Sequence, residues 1–308
     1  MDDRDAGIRL KAFSFLEDLC AKYGLALPRN ILAAGFCFDG KRVPLLGPQG
    51  IFKPAVLSEI PISITTVPVV EGRPRPYEDE TGPDGLIRYK YRGKDPKHPD
   101  NVGLRLAMKR HIPLVYFYGL VPGQYAAVWP VYVVGDDPGT LTFSVEIGEK
   151  QDLILDRDER ARVSIAESAS RSYVTVSTQR RLHQQSFRMR VLEAYHQCCA
   201  VCRLKHAELL EAAHILPDGH PRGEPWVSNG ISLCKLHHAA FDAQMLGIRP
   251  DLIVEIRKDI LQESDGPLLI HGLKEWHKKE LLVIPRTERF KPRAEFLEER
   301  FELFRKAG

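Results

Sequence analysis

Between positions 199 and 242 the sequence reads CAVCRLKHAELLEAAHILPDGHPRGEPWVSNGISLCKLHHAAFD, and it holds two overlapping sets of residues suited to metal chemistry. Cys199-x2-Cys202 and Cys234-x2-His237 are two ligand pairs, a pattern that matches a closed tetrahedral zinc shell with no position open to water. Cys198 lies one residue outside the two-residue gap and is expected to be a packed thiol. The second set is His214, Asn229 and His238, with Asp242 four residues beyond His238. An imidazole titrating near neutrality can take a proton from water, and a histidine beside a carboxylate can hold a divalent cation.

These side chains need a strand, a loop, a second strand and a helix to position them. Glu211–Leu216 (EAAHIL) and Gly230–Leu233 (GISL) are short apolar strand candidates, and Lys235–Met245 has helix-forming composition stopped by Gly247. Cys234 and His237, three apart at the helix start, can face one ion. His238 is rotated by ~100° from its neighbour and faces elsewhere. Asp242 shares the face of His238 and can supplement a metal position there.

AAHILP, NGISLCKLHH and FD together resemble the HNH (ββα-metal) endonuclease family over about Cys199 to Gly247. The resemblance implies hydrolysis of a phosphodiester bond, which needs an activated water, a charge partner for the phosphate and stabilisation of the departing oxygen. It assigns the general base to His214 and a single catalytic divalent cation, Mg2+ or another, to His238. Asn229 corresponds to the family asparagine that holds the strand-connecting loop, orients the base or reaches the metal. One position departs from the pattern: many relatives carry Asp or His before the base, where this chain has Ala213. Asp242, Asp218, His220 or waters are left to complete the metal shell, and helical position favours Asp242.

The region in front is different in character. An opening helix is marked by Phe13, Leu16, Leu19, Cys20 and Tyr23, with Gly24 as its stop. From Ile31 to Ile147, β-branched runs alternate with Gly, Pro and Asp clusters, and Asn101–Arg110 has helical periodicity, so an α+β domain is expected over 1–148. Charged residues 149–178 read as a connection, and 179–308 as the nuclease domain with its structural zinc. Within 76–134, Tyr77-Glu78-Asp79, Tyr91-Arg92-Gly93, the Asn101 helix, the strand from Pro113 and the Tyr125–Tyr132 strand occur in an order that resembles the SRA domain, a reader of modified cytosine. That resemblance implies a β-barrel or sheet with helices and a pocket for a base flipped out of the duplex. Asp79, or Asp84 in its place, is the candidate acceptor for the cytosine amino group, and Tyr77 and Tyr91 are candidate stacking walls. The turn Gly47–Phe52 (GPQGIF) is a candidate backbone-rich loop near DNA. Ile87, Tyr89 and Tyr91 share one strand face, so Tyr91 is either a pocket wall or a core residue.

With 44% hydrophobic and 28% charged residues over 308 positions, the chain is neither disordered nor fibrous, and its length suits two domains. The net charge of +3 decides no partner by itself. The acidic start MDDRDAGIRL is unlike a signal peptide, and no apolar run is long enough for a membrane span, so a cytoplasmic protein is expected. Together the two resemblances imply a modification-dependent restriction endonuclease, acting on double-stranded DNA that carries 5-methyl- or 5-hydroxymethylcytosine. One HNH motif per chain makes a homodimer the economical way to cut both strands. The competing readings are a zinc-containing DNA-binding protein without catalysis, and a nuclease fused to an unrelated interaction domain. The tail from Asp251, with a strand-like LIVEI and an amphipathic helix over 293–306, packs on the nuclease or dimerises.

Overall fold

The computed structural model of the chain describes residues 3–70, 80–149, 165–264 and 266–308, which fall into two units, 1–183 and 184–308. In the first, helix α1 (Asp3–Tyr23) buries Ile8, Ala12, Phe13, Leu16 and Leu19 along one face. Asp3 and Asp5 stand in its first turn, where the peptide dipoles favour negative charge. Gly24 ends the helix at φ +70, its N–H on the Cys20 carbonyl.

After β1 (Leu27–Pro28), α2 (Arg29–Ala34) and the β2 (Phe36–Phe38)–β3 (Lys41–Val43) hairpin, the chain enters the main sheet. Its further strands are β4 (Ile51–Phe52), β5 (Ser63–Thr66), β6 (Glu80–Thr81), β7 (Ile87–Lys90), β8 (Leu114–Val121), β9 (Gln124–Asp137) and β10 (Thr142–Ile147). The order is β4-β5-β8-β9-β10-β7-β6, with β1 beside β9. Only the β5–β8 pairing among them is parallel. Every residue of β8 is buried, which its unbroken LVYFYGLV composition demands of a strand covered on both faces. The apolar run from Ile62 to Val70 yields strand only to Thr66, because Pro68 has no N–H to donate. Pro68 instead packs on β8 at Gly119, where a Cβ would come within 2.5 Å of its ring.

Helix α3 (Pro99–Arg110) matters for what it holds. The buried side chain of Asn101 accepts from Arg92 N–H at 2.9 Å and donates to the Arg92 and Asp95 carbonyls at 3.1 and 2.8 Å. The segment that follows β7 is thereby fixed.

The expected connection over 149–178 is corrected in its second half. Residues 150–164 lie outside the described residues, and from Ile165 the chain is helix, α4 (Ile165–Ala194). Thr175, Gln179, Leu182 and Ser186 are buried at helical spacing, and the Thr175 hydroxyl accepts from Ile147 N–H at 3.0 Å. A buried stripe built mainly of polar residues gives no hydrophobic periodicity to read.

The second unit continues with β11 (Leu210–His214), β12 (Gly230–Cys234), α5 (Lys235–Asp242), β13 (Leu246–Ile248), β14 (Val254–Ile256), α6 (Lys258–Gln262), α7 (Pro267–Gly272) and α8 (Ala294–Ala307). The antiparallel β11–β12 hairpin followed by α5 is the expected strand, loop, strand and helix. Helix α8 buries Phe296, Leu297, Phe301 and Phe304. Gly247 of β13 leaves room for it, since a Cβ there would lie 2.6 Å from the Phe304 ring. The tail helix therefore packs within the second unit. Among the described residues no helix is long and apolar enough to cross a membrane.

Candidate active site and metal centre

Cys199 and Cys202 sit in a tight turn after α4, closed by Arg203 N–H on the Cys199 carbonyl at 3.0 Å and by Cys199 N–H on the Leu204 carbonyl at 2.9 Å. Ala200 N–H donates to Ser232 O at 2.7 Å and ties this turn to β12. Cys234 ends β12 and caps α5, and His237 follows in the first helical turn. The ligand atoms of Cys199, Cys202, Cys234 and His237 all lie within 4.8 Å of one another. Cys202 Sγ to Cys234 Sγ is 4.0 Å, Cys199 Sγ to His237 Nδ1 is 3.5 Å and Cys234 Sγ to His237 Nδ1 is 3.1 Å. A tetrahedral zinc ion sets sulfur and nitrogen ligands about 3.5–3.8 Å apart, so the donor set fits such an ion. Proton sharing in the cluster pushes the Cys199 thiol up and the Cys234 thiol down. Burial acts to lower the His237 pKa, but the Cys202 and Cys234 sulfurs outweigh it and hold it at about 9. His237 Nε2 meets the Gly272 carbonyl at 2.8 Å, the partner that leaves Nδ1 to face an ion. Cys198 stands outside the cluster, with its thiol on the His196 carbonyl.

His214 ends β11 opposite Gly230. Its ring stacks on Phe187 of α4 at 4.0 Å and 16°. A Cβ at Gly230 would lie 2.5 Å from Val191 and 2.8 Å from Phe187, so glycine is what lets α4 approach the strand end. Among the described residues, the Nε2 atom of His214 is buried without a hydrogen-bond partner. Burial lowers the His214 pKa, and His238 lowers it further, while Asp218 and Asp242 act to raise it. His214, His238 and the two carboxylates thus share one electrostatic neighbourhood.

Asn229 is fully buried. It accepts from Leu216 N–H at 2.9 Å and donates to the Leu216 and Glu224 carbonyls, each at 3.1 Å. Of the three roles open to it, its contacts are those of the loop holder: every side-chain polar atom is spent on backbone.

His238 projects from α5 with Nδ1 2.6 Å from Glu211 Oε2 and Nε2 3.3 Å from Asp242 Oδ2. Arg300 of α8 reaches the other Asp242 oxygen at 3.2 Å and the Phe241 carbonyl at 3.1 Å. His220 meets Glu299 at 2.9 Å, and Asp218 is exposed. Of the side chains considered for the metal shell, Asp242 is therefore the one beside His238. A histidine nitrogen and a carboxylate suit a divalent cation that keeps water in its remaining positions. The sequence reading did not single out Glu211 or Arg300. Period-two alternation places Glu211 on the strand face of Ala213, a signal available in the sequence. Arg300 had none, being 58 residues from its partner.

In the first unit, a cavity of about 300 Å³ opens between the turn at Pro48–Ile51, the end of β5 at Thr65–Val67 and β7 with its extension at Tyr89–Arg92. The Tyr89 hydroxyl donates to the Thr65 carbonyl at 3.2 Å along its wall. Tyr91 is both wall and core: it borders the cavity, yet is 2% exposed, stacked on Phe143 at 4.5 Å and bonded through its hydroxyl to Asp136 and Arg105. Asp84, the alternative to Asp79, stands apart from this cavity. It lies in the β6–β7 turn, with its carboxylate on Arg88 at 2.5 Å and on Leu86 N–H at 3.2 Å, and does not line the cavity. Tyr77 and Asp79 lie outside the described residues. Sequence reasoning missed Thr65 and Thr66 as lining residues, whereas Gln49 falls in the Gly47–Phe52 turn it singled out; three strands separate β5 from β7 in the sheet, so no local pattern shows that they meet.

Among solved structures, a modification dependent TagI restriction endonuclease is similar over 80% of this chain and 82% of its own, at 17% identity and a TM-score of 0.28. No curated protein matches the chain. Residues 199–249 match the family described as HNH endonuclease, the span that contains the cysteine cluster, His214, Asn229, His238 and Asp242. The chain therefore carries an HNH endonuclease domain and is a metal-dependent DNA endonuclease.

Proposed function

We propose that this endonuclease is a modification-dependent restriction enzyme in which 1–148 read a modified cytosine and 179–308 cut the DNA. The observation that carries the reader half is the 300 Å³ cavity. Its volume is at the lower end of the ~300–1,000 Å³ of small-molecule sites and suits one nucleobase. Extruding a base costs a few kcal/mol, recovered by stacking and by hydrogen bonds to its edge. Tyr89 and Tyr91 border the cavity, and Gln49 and Thr65 offer polar groups. Lys90 brings positive charge suited to the phosphates beside a flipped nucleotide. Asp79 is the proposed acceptor for the cytosine amino group.

In the nuclease half, His214 is the general base. Burial keeps its imidazole neutral, the form that can accept a proton from water. His238 and Asp242 hold the catalytic divalent cation, which when bound supplies charge compensation at the phosphate and the leaving oxygen. Asn229 keeps the strand end that carries His214 in register with β12. Cys199, Cys202, Cys234 and His237 hold structural zinc, and with four protein ligands that site takes no part in hydrolysis. Two chains act together, one HNH domain on each strand.

The reading is tested by digesting plasmids of one sequence carrying unmodified, 5-methyl- or 5-hydroxymethylcytosine with Mg2+ or Mn2+. Cleavage restricted to a modified plasmid is expected. Equal cleavage of all three overturns the reader and leaves a plain nuclease.

A further inference from the structure

The departure at Ala213 leaves the catalytic cation short of the ligand that strand β11 supplies in many HNH proteins. Ala213 is fully buried and has nothing to coordinate with. Two residues earlier, on the same face of the strand, Glu211 carries a side chain long enough to reach α5, where its carboxylate meets His238 Nδ1 at 2.6 Å. We infer that Glu211 is a positioning residue for His238, fixing which ring nitrogen and which orientation the histidine presents to the cation. The inference rests on the reading of His238 and Asp242 as protein ligands of that cation.

The geometry separates positioning from direct ligation. The two nitrogens of an imidazole point in diverging directions, so an ion on Nε2 lies away from the Glu211 oxygen that engages Nδ1. With Nδ1 taken, Nε2 faces Asp242 Oδ2 across 3.3 Å. A six-coordinate cation with ligands at about 2.1 Å holds adjacent ligand atoms about 3.0 Å apart, so this pair is spaced as two neighbours in one shell. The Asp242 carboxylate is oriented in the same manner, since Arg300 takes Oδ1 at 3.2 Å and leaves Oδ2 inward. A carboxylate behind a metal-binding histidine fixes its tautomer and raises its basicity, and loss of such a partner weakens metal binding by about 10–100-fold. Glu211 thus supplies through His238 part of what position 213 lacks.

The test is Mn2+ binding to the full-length protein without DNA, followed by the electron paramagnetic resonance of free Mn2+. Zinc content and the urea unfolding midpoint are measured on the same samples. Glu211→Ala is expected to weaken Mn2+ binding by about 10–100-fold with zinc content and midpoint unchanged. Glu211→Gln, which keeps an oxygen for Nδ1–H, is expected to stay within a few-fold of the parent. His238→Ala is expected to abolish binding. If Glu211→Ala unfolds or loses zinc, Glu211→Met, of similar length and without an acceptor, is read in its place. Parent-like Mn2+ binding by the alanine or methionine variant, with His238→Ala defective, overturns the role of Glu211 alone. Glu211→Gln as weak as Glu211→Ala overturns orientation through the Nδ1–H bond and assigns the effect to the negative charge of the carboxylate. Parent-like binding by His238→Ala overturns the cation reading beneath it.

Discussion

Replacing Asn229 separates a residue that holds backbone from one that holds metal. Its side chain makes three hydrogen bonds, one accepted from Leu216 N–H at 2.9 Å and two donated to the Leu216 and Glu224 carbonyls at 3.1 Å. Asn229→Ala removes all three and leaves the Leu216 groups buried. A net bond contributes ~1 kcal/mol and a buried unsatisfied group costs ~1–3 kcal/mol, so a loss of about 3–5 kcal/mol is expected. Domain stabilities are ~5–15 kcal/mol, so the protein should still fold at 25 °C with a clearly lower midpoint. Asn229→Asp should be worse than alanine despite its near-identical shape, because an ionised carboxylate would face two carbonyl oxygens in a fully buried position. Urea unfolding of both variants, followed by circular dichroism with zinc content checked, measures the order. Cleavage rates should fall in the same order, since the loosened loop begins where β11 ends at His214. An aspartate variant as stable and active as the parent would refute the backbone role and return Asn229 to the metal.

Three further outcomes follow from the site. His214 stays neutral to lower pH than an ordinary histidine because its folded pKa is depressed below 6.5, so the base is available above that pKa and lost as pH falls through it. The acid limb of the single-turnover cleavage rate should have its midpoint below 6.5, and one above that value contradicts the assignment. Chelation of the cysteine cluster, or Cys202→Ser, should unfold the 184–308 unit, since structural zinc is worth ~10–16 kcal/mol in small zinc domains. Circular dichroism and zinc release should then change together, whereas retained structure after zinc loss would show the cluster to be dispensable. Gly50→Val should cut affinity for modified DNA, because a Cβ there meets the Tyr89 hydroxyl at 2.9 Å and displaces it at the cavity. Zinc content should not change, and unchanged binding of modified and plain duplexes would remove this cavity from recognition.

The local chemistry of the nuclease was legible in one dimension because it depends on short spacings. A helix sets Cys234 and His237 on one face and turns His238 away whatever surrounds it, and the β11–β12–α5 order follows from composition, although α5 ends at Asp242 and the expected stop, Gly247, lies in β13. Family likeness added roles that spacing cannot assign, and the matched span of 199–249 covers them. Less was legible where long-range packing decides. Arg300 reaches Asp242 only because α8 folds back over β13, and the Glu211–His238 pair needs the exact lean of α5 on its hairpin. The cavity of the first unit is lined from β4, β5 and β7, although three strands separate β5 from β7 in the sheet, so no local pattern shows that they meet. Asp84 has a base-reading residue's chemistry but a turn residue's position, and a neighbouring arginine engages its carboxylate. Residue type and local period thus determined which groups can act. Tertiary structure decided which of them meet, because side-chain contacts between distant segments depend on ångström-scale packing that no local pattern encodes.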